Sequence, residues 1–184
     1  MCLPVELSPT AGPPRQVEYL HDRETEILVA RIHAAQSGRG KGGSAPASVE
    51  IEGKDGSWLT LELNGGRIEG IAVAVWPPIR MRGALHPPIS ADLMHELVVD
   101  EGGMGGGDIG SVSEFSARVV AESDAAGRTV HFRLGRVGTV AERGRCGTLQ
   151  TVRIAHDVML EVDATRRIAG LWLLNLPEHS VPGS

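Results

Sequence analysis

Apolar and polar residues alternate along most of this chain with the period of two that marks half-buried β-strands. The alternation predicts a strand at 16–21, a polar turn at Asp22–Glu24 and a second strand at 26–34. In that second strand Ile27, Val29 and Arg31 fall on one side, with Leu28, Ala30 and Ile32 on the other. Strands follow at 48–53 and 57–64 around the turn Gly53-Lys54-Asp55-Gly56, where Leu59, Leu61 and Leu63 alternate with Trp58, Thr60 and Glu62. Asn64-Gly65-Gly66 signals a tight hairpin, because a primed turn requires positive φ at its central residues. The returning strand, 67–76, is apolar on both faces after Glu69 and belongs in the middle of a sheet. Six further strands are expected near 114–122, 128–134, 137–142, 149–154, 157–163 and 167–175.

The pattern occurs twice. Residues 57–78 align with 156–178 with a single one-residue gap at the turn, pairing Leu61 with Leu160, Glu62 with Glu161, Arg67 with Arg167, Ile68 with Ile168 and Gly70 with Gly170. Upstream, 16–32 aligns with 118–134 at a constant offset of 102, pairing Val17 with Val119, Asp22 with Asp124 and Arg31 with Arg133. The expected fold is therefore mainly β: tandem-duplicated antiparallel units forming a barrel or sandwich, the first at 16–78 and the second at 113–178. A glycine inside a strand weakens it, so Gly70 and Gly170 mark a bulge or a close backbone approach across the fold.

Three segments break the alternation. Residues 1–15 are Pro-rich and predict a loose arm, 37–48 read as a Gly/Ser loop, and 179–184 form a short tail. The connecting segment 79–112 has prolines at Pro87-Pro88, an N-cap signal at Ser90 that predicts a short helix over 90–98, and six glycines within 101–110. A flexible linker or a mobile flap is expected at those glycines. They lack the Gly-Lys-Ser/Thr ending of a phosphate-binding loop.

The strand and turn residues carry a resemblance. Tyr19, Asp22, Glu26, Ile27, Leu28 and Val29, followed by Asn64, Gly66, Arg67, Ile68, Gly70 and Ile71, resemble a family of small bacterial proteins of unknown function built from a short β-strand unit. The closing pattern recurs as Asp163, Arg167, Ile168, Gly170 and Leu171. The family's final glutamate is replaced by Ala72 and Trp172, and Ala121 stands where the second copy would carry the tyrosine. The resemblance implies a β unit and carries no catalytic residue with it.

Charge and composition narrow the functional classes. A net charge of −5 argues against a nucleic-acid partner, which calls for a basic face. No apolar run approaches the ~18 residues of a membrane helix, no secretory leader opens the chain, and Cys2 and Cys146 make no disulfide framework, so a reduced cytoplasmic protein is expected. No cofactor or metal signature stands out. The ligand-binding candidates are Arg31 and Arg133, which a pseudo-twofold arrangement would bring together on one anion, and His95 and Glu96, which a helix would converge with Asp92 near His86. The plainer reading pairs the two arginines with Glu62 and Glu161 and leaves the His-Glu segment on a solvated face. Cys146, between Arg145 and Gly147, has arginines nearby that favour a thiolate, and His131 and His156 lie in the same unit without an identifiable base spacing. Two readings follow. The chain is a binding or interaction module with a small-molecule or protein partner, acting as monomer or homodimer. Alternatively it is a cofactor-independent isomerase or cyclase working in an apolar pocket capped by 79–112. A closed apolar cavity of roughly 300 Å³ or more with His, Arg or Glu pointing in would favour the enzyme, and a packed interior the module.

Overall fold

The computed structural model describes residues 4–9, 15–33, 46–88, 95–99, 112–135 and 149–183. Among these residues there are thirteen strands and no helix. In chain order they are β1 (Val5–Pro9), β2 (Gln16–Asp22), β3 (Ile27–His33), β4 (Pro46–Gly53), β5 (Trp58–Asn64), β6 (Arg67–Val75), β7 (Ile79–Arg82), β8 (His95–Val99), β9 (Val112–Asp124), β10 (Val130–Gly135), β11 (Gln150–Ala155), β12 (Val158–Val162) and β13 (Ile168–Leu173). They belong to one continuous sheet that does not close on itself.

Two sets of five strands share one order. The first runs β2–β3–β6–β5–β4 and the second β9–β10–β13–β12–β11. Strand β9 joins them. Its residues Val112–Ala117 run parallel to Ser48–Gly53 of β4, and Arg118–Ser123 then pair antiparallel with β10. The registers correspond as well. Gly70 lies between Arg31 on one side and Glu62 on the other, and Gly170 lies between Arg133 and Glu161. Just past each of these glutamates the ladder slips, between Glu62 and Leu63 and between Glu161 and Val162.

The hairpins differ by one residue. Gly65 and Gly66 adopt φ of 58° and 74°, as a two-residue primed turn requires. In the second set the turn is longer. The Arg166 N–H donates to the Asp163 carbonyl at 2.9 Å, and Arg166 itself takes the left-handed conformation with φ of 56°. The Asp163 carboxylate accepts from the Thr165 backbone N–H and hydroxyl at 2.8 and 2.7 Å, and that network fixes the turn.

Both sets contribute to a single hydrophobic core. Leu28 and Ala30 of β3, Leu59 and Leu61 of β5, and Ile71 and Val73 of β6 are buried together with Val130 and Phe132 of β10, Leu160 of β12 and Leu171 of β13. Each fully buried aliphatic or aromatic side chain stabilises the fold by about 1.5–3 kcal/mol. Polar ties join the halves around this core. The Tyr19 hydroxyl donates to the Asp157 carbonyl at 3.1 Å, and the Arg15 guanidinium caps the Ile68 carbonyl at 3.1 Å. The Arg15 carbonyl accepts the His156 N–H at 2.8 Å, so the two ends of the sheet approach without forming a ladder.

Two expectations are corrected. No helix forms at the C-terminal part of 90–98: His95–Val99 is strand β8, antiparallel to β1, and residues 89–94 lie outside the described residues. Leu97 and Val99 share one strand face and are 4% and 1% exposed, so burying that face overrides the N-cap signal of Ser90. The N-terminal arm is not wholly loose, since Val5 is buried in β1 and donates its N–H to the Arg166 carbonyl at 2.8 Å. The strand expected at 137–142, the glycines of 101–110, Cys2, Asp92 and Cys146 all lie outside the described residues.

Candidate functional site

The polar residues of the second set gather on the sheet face turned away from the core. The β9–β10 turn sets this up. The Asp124 carboxylate accepts the Arg128 and Thr129 N–H groups at 2.8 and 3.1 Å, and Gly127 takes a φ of 63°. That turn places Glu122 directly across from His131, on the opposite side from Ala121 and Phe132 of the core. Pairing of β10 with β13 puts Trp172 beside His131, and pairing of β13 with β12 puts Met159 beside Trp172. A single row thus runs Glu122, His131, Trp172, Met159. The next row holds Arg133, Gly170 and Glu161.

Gly170 makes the second row possible. A Cβ there would sit 2.5 Å from Glu161 Oε2, so the absent side chain leaves the space in which the Glu161 carboxylate lies. Glu161 accepts the indole N–H of Trp172 at 2.9 Å through Oε1 and contacts His131 Nε2 at 3.1 Å through Oε2. A carboxylate can only accept, so His131 carries a proton on Nε2. The imidazole lies flat on the indole, with ring centroids 3.9 Å apart and planes 8° from parallel. Glu122 completes the group by accepting Arg82 NH2 at 2.5 Å and Arg133 NH2 at 2.9 Å.

Electrostatics keep both carboxylates ionised. The Arg82 hydrogen bond, opposed by burial and reinforced by the charges of Arg133, Arg82 and His131, holds the Glu122 carboxyl below its ordinary range. Burial pushes Glu161 upward, but hydrogen bonds from His131 and Trp172 and the charges of His131 and Arg133 outweigh it, and Glu161 too ends below its ordinary range. A histidine hydrogen-bonded to a glutamate is competent acid–base chemistry. Here it is enclosed: His131 and Glu161 are 7% and 6% exposed. Strand β7 runs parallel to Ala121–Asp124 of β9, and the chain beyond it carries Leu85 onto Met159, Trp172 and Leu174.

The sequence candidates are scattered by comparison. Arg133 belongs to the cluster, bonded to Glu122. Arg31 sits at the matching place on the first set, exposed and across from Glu18. Both arginines flank core-facing neighbours and so project from outer faces, and no contact brings them onto one anion. His95 and Glu96 are strand residues of β8 across from Pro9 and Ser8, which removes the helical convergence with Asp92; their side chains lie outside the described ones. His86 is exposed beyond β7, and exposed His156 contacts Asp157 Oδ1 at 2.8 Å. No group of three or more His, Cys, Asp or Glu among the described residues is placed to hold a metal, and no described helix is long and apolar enough to cross a membrane.

Sequence reasoning missed Glu122, Trp172 and Arg82 as site residues. The signal was present in part. Gly170 in register with Glu161 points to a carboxylate folded over the sheet, but only the β10–β13 pairing supplies the histidine. No protein-family profile and no curated protein matches the chain.

Proposed function

We propose that the chain is a binding or interaction module made of two tandem copies of one β unit packed as a sandwich, and that the first unit's outer face receives a polypeptide segment of a partner. Shared strand order, shared registers at Gly70 and Gly170 and the shared ladder slip support the duplication. The observation that carries the function is an asymmetry. On the second unit β7 extends the sheet beside Glu122, and the chain beyond it covers the outer row by packing Leu85 on the Met159–Trp172–Leu174 cluster. The matching row on the first unit is Leu20, Val29, Ala72 and Thr60, where Leu20 is exposed and the other three are half-buried, with no counterpart of Leu85 packed on them among the described residues. Leu20 is 38% exposed, and Val75, which pairs with Trp58 further along β6, is 50% exposed. A largely aliphatic, partly exposed face of this kind suits an interaction site.

Selection of displayed peptides against the intact chain tests the reading. Binders should shield the amides of β2 and β3 from hydrogen exchange, and Leu20→Asp should abolish their binding while the melting temperature holds. Binders that protect other strands, or that ignore Leu20→Asp, would sink the proposal.

The enzyme reading, a cofactor-independent isomerase or cyclase, draws on the His131–Glu161 pair. Leu85 packs against the Met159–Trp172–Leu174 cluster and His131 is 7% exposed, so a substrate would reach the imidazole only after the segment bearing Leu85 lifts. If that reading holds, Leu85→Ala should speed carbethoxylation of His131 by diethyl pyrocarbonate at unchanged stability; equal rates would remove its support.

A further inference from the structure

A groove of about 300 Å³ opens beside the place where β9 passes from the first unit to the second, lined by Lys54, Asp55, Pro78, Arg80, Arg118, Val119 and Val120. It is distinct from the first unit's apolar row and from the enclosed His131 cluster. Three cations reach it from three separate elements: Lys54 from the β4–β5 turn, Arg80 from β7 and Arg118 from β9. All three are exposed, and none makes an ion pair among the described residues. Their neighbours behave differently. Arg82, two positions along β7, and Arg133, across the sheet from Val120, are both taken up by Glu122. The whole chain carries a net charge of −5, so three cations outside any ion pair around one concavity run against its overall balance. Unpaired like charges held close repel one another, and an arrangement that keeps them together is favoured when an anion fills the space between them.

The lining also limits the ligand. Asp55 is one of the walls, and its Oδ1 accepts the Ser57 hydroxyl at 2.7 Å and the Ser57 N–H at 3.2 Å. These bonds hold its carboxyl below the ordinary range, with the Ser57 side-chain hydrogen bond the main cause and burial opposing it. Lys54, Arg80 and Arg118 set against Asp55 leave an excess of two positive charges. Pro78, Val119 and Val120 supply an apolar patch, and the volume is at the lower end of ordinary small-ligand sites. We infer that this groove binds a small organic dianion, a phosphate monoester or a dicarboxylate, with Arg80 and Arg118 gripping the charged oxygens and the apolar remainder lying on Pro78 and Val120. Guanidinium forks suit either oxygen pair, which is why the charge, and not the atom that bears it, is what the groove specifies.

Titration of the full chain at pH 8 and low salt, followed by calorimetry and amide chemical shifts, tests this with phenyl phosphate, phthalate and the monoanion phenyl sulfate. A dianion should bind about fivefold or more tightly than phenyl sulfate, and its shifts should centre on Lys54–Ser57, Arg80 and Arg118–Val120. Preference for phenyl phosphate identifies the phosphate monoester, and preference for phthalate the dicarboxylate. Arg80→Gln and Arg118→Gln are exposed changes that should each weaken binding by about fivefold with an unchanged melting curve. Lys54→Gln is a further check at a turn position. The proposal is overturned if neither dianion saturates at millimolar concentration, if phenyl sulfate binds as well, or if the arginine variants bind like the parent. Leu20→Asp should leave this binding intact, so a failure here is separable from a failure of the interaction reading.

Discussion

The outer faces of the two units start from the same scaffold and end in opposite states. Equivalent positions hold Leu20, Val29, Ala72 and Thr60 on one unit and Glu122, His131, Trp172 and Met159 on the other. Backbone register is therefore indifferent to whether the face is largely aliphatic and half-exposed or polar and enclosed. What decides it is the cover. A buried glutamate costs several kcal/mol unless its oxygens are satisfied, and the second unit meets that demand with His131, Trp172, Arg82 and Arg133. One of those partners, Arg82, comes from the covering segment itself, so sealing the face and satisfying its charges are one event.

The strongest test of the comparison removes Trp172. It is 5% exposed, stacks on His131 and donates to Glu161, so Trp172→Ala should cost about 3–5 kcal/mol in urea unfolding. Leu20→Ala, on the matching row, should cost less than about 1 kcal/mol because the side chain is already partly in water. Similar losses at the two positions would mean that the first unit's face is covered too.

The paired glycines sharpen the contrast at one position. A Cβ at Gly170 meets Glu161 and, at 3.1 Å, the Phe132 carbonyl, and Glu161 is pinned by two hydrogen bonds. Gly170→Ala should destabilise by about 1–3 kcal/mol. The three atoms nearest a Cβ at Gly70 all belong to Glu62, whose exposed carboxylate can swing away and leave its Cβ at 3.2 Å, so Gly70→Ala should cost less than Gly170→Ala, about 1 kcal/mol. Equal melting temperatures for the two variants would show that the Glu161 anchor is loose.

Acid titration reads the same anchor. Glu122 and Glu161 are held below the ordinary glutamate value of 4.5 in the folded chain. A depressed folded-state value means that the stabilisation is complete above about pH 4.5 and is lost as pH falls through the lower folded value. Glu161→Gln should flatten the acid limb of stability against pH and lower the plateau near neutrality. An unchanged acid limb would mean that Glu161 titrates as it does in the unfolded chain.

Much of this architecture was legible, because alternation and turn chemistry are local. The Asn64-Gly65-Gly66 hairpin, the central placement of 67–75 and the crowding at Gly70 and Gly170 follow from a few adjacent residues. The short edge strands were not legible. Val5–Pro9 and His95–Val99 gain their structure from each other and from Gly66, whose carbonyl accepts the Val99 N–H at 2.7 Å. The site was half legible for a similar reason. Each hairpin sets Glu122 by His131 and Glu161 by Gly170, but the polar cluster forms only where β10 meets β13, a pairing that no local pattern encodes.

The smallest effect distinguishes the two hairpin turns. Arg166 is exposed and occupies the left-handed region at φ of 56°, where a side chain costs about 1–2 kcal/mol. Its counterpart turn uses Gly65 and Gly66, which adopt that region without steric cost. Replacing Arg166 by glycine removes the strain but adds about 0.5–1 kcal/mol of backbone entropy to the unfolded chain. The balance is a gain of a few tenths to about 1 kcal/mol, measured as a rise in the urea midpoint at constant m-value. The reverse change is not symmetrical. A Cβ on Gly66 would meet Val98 Cγ1 at 2.7 Å and the Val99 carbonyl at 2.9 Å, so Gly66→Ala should be destabilising on both steric and conformational grounds. Should Arg166→Gly lower the midpoint instead, the arginine side chain is contributing more to the second hairpin than its exposure implies, and the two turns are not alternative solutions to one geometric problem.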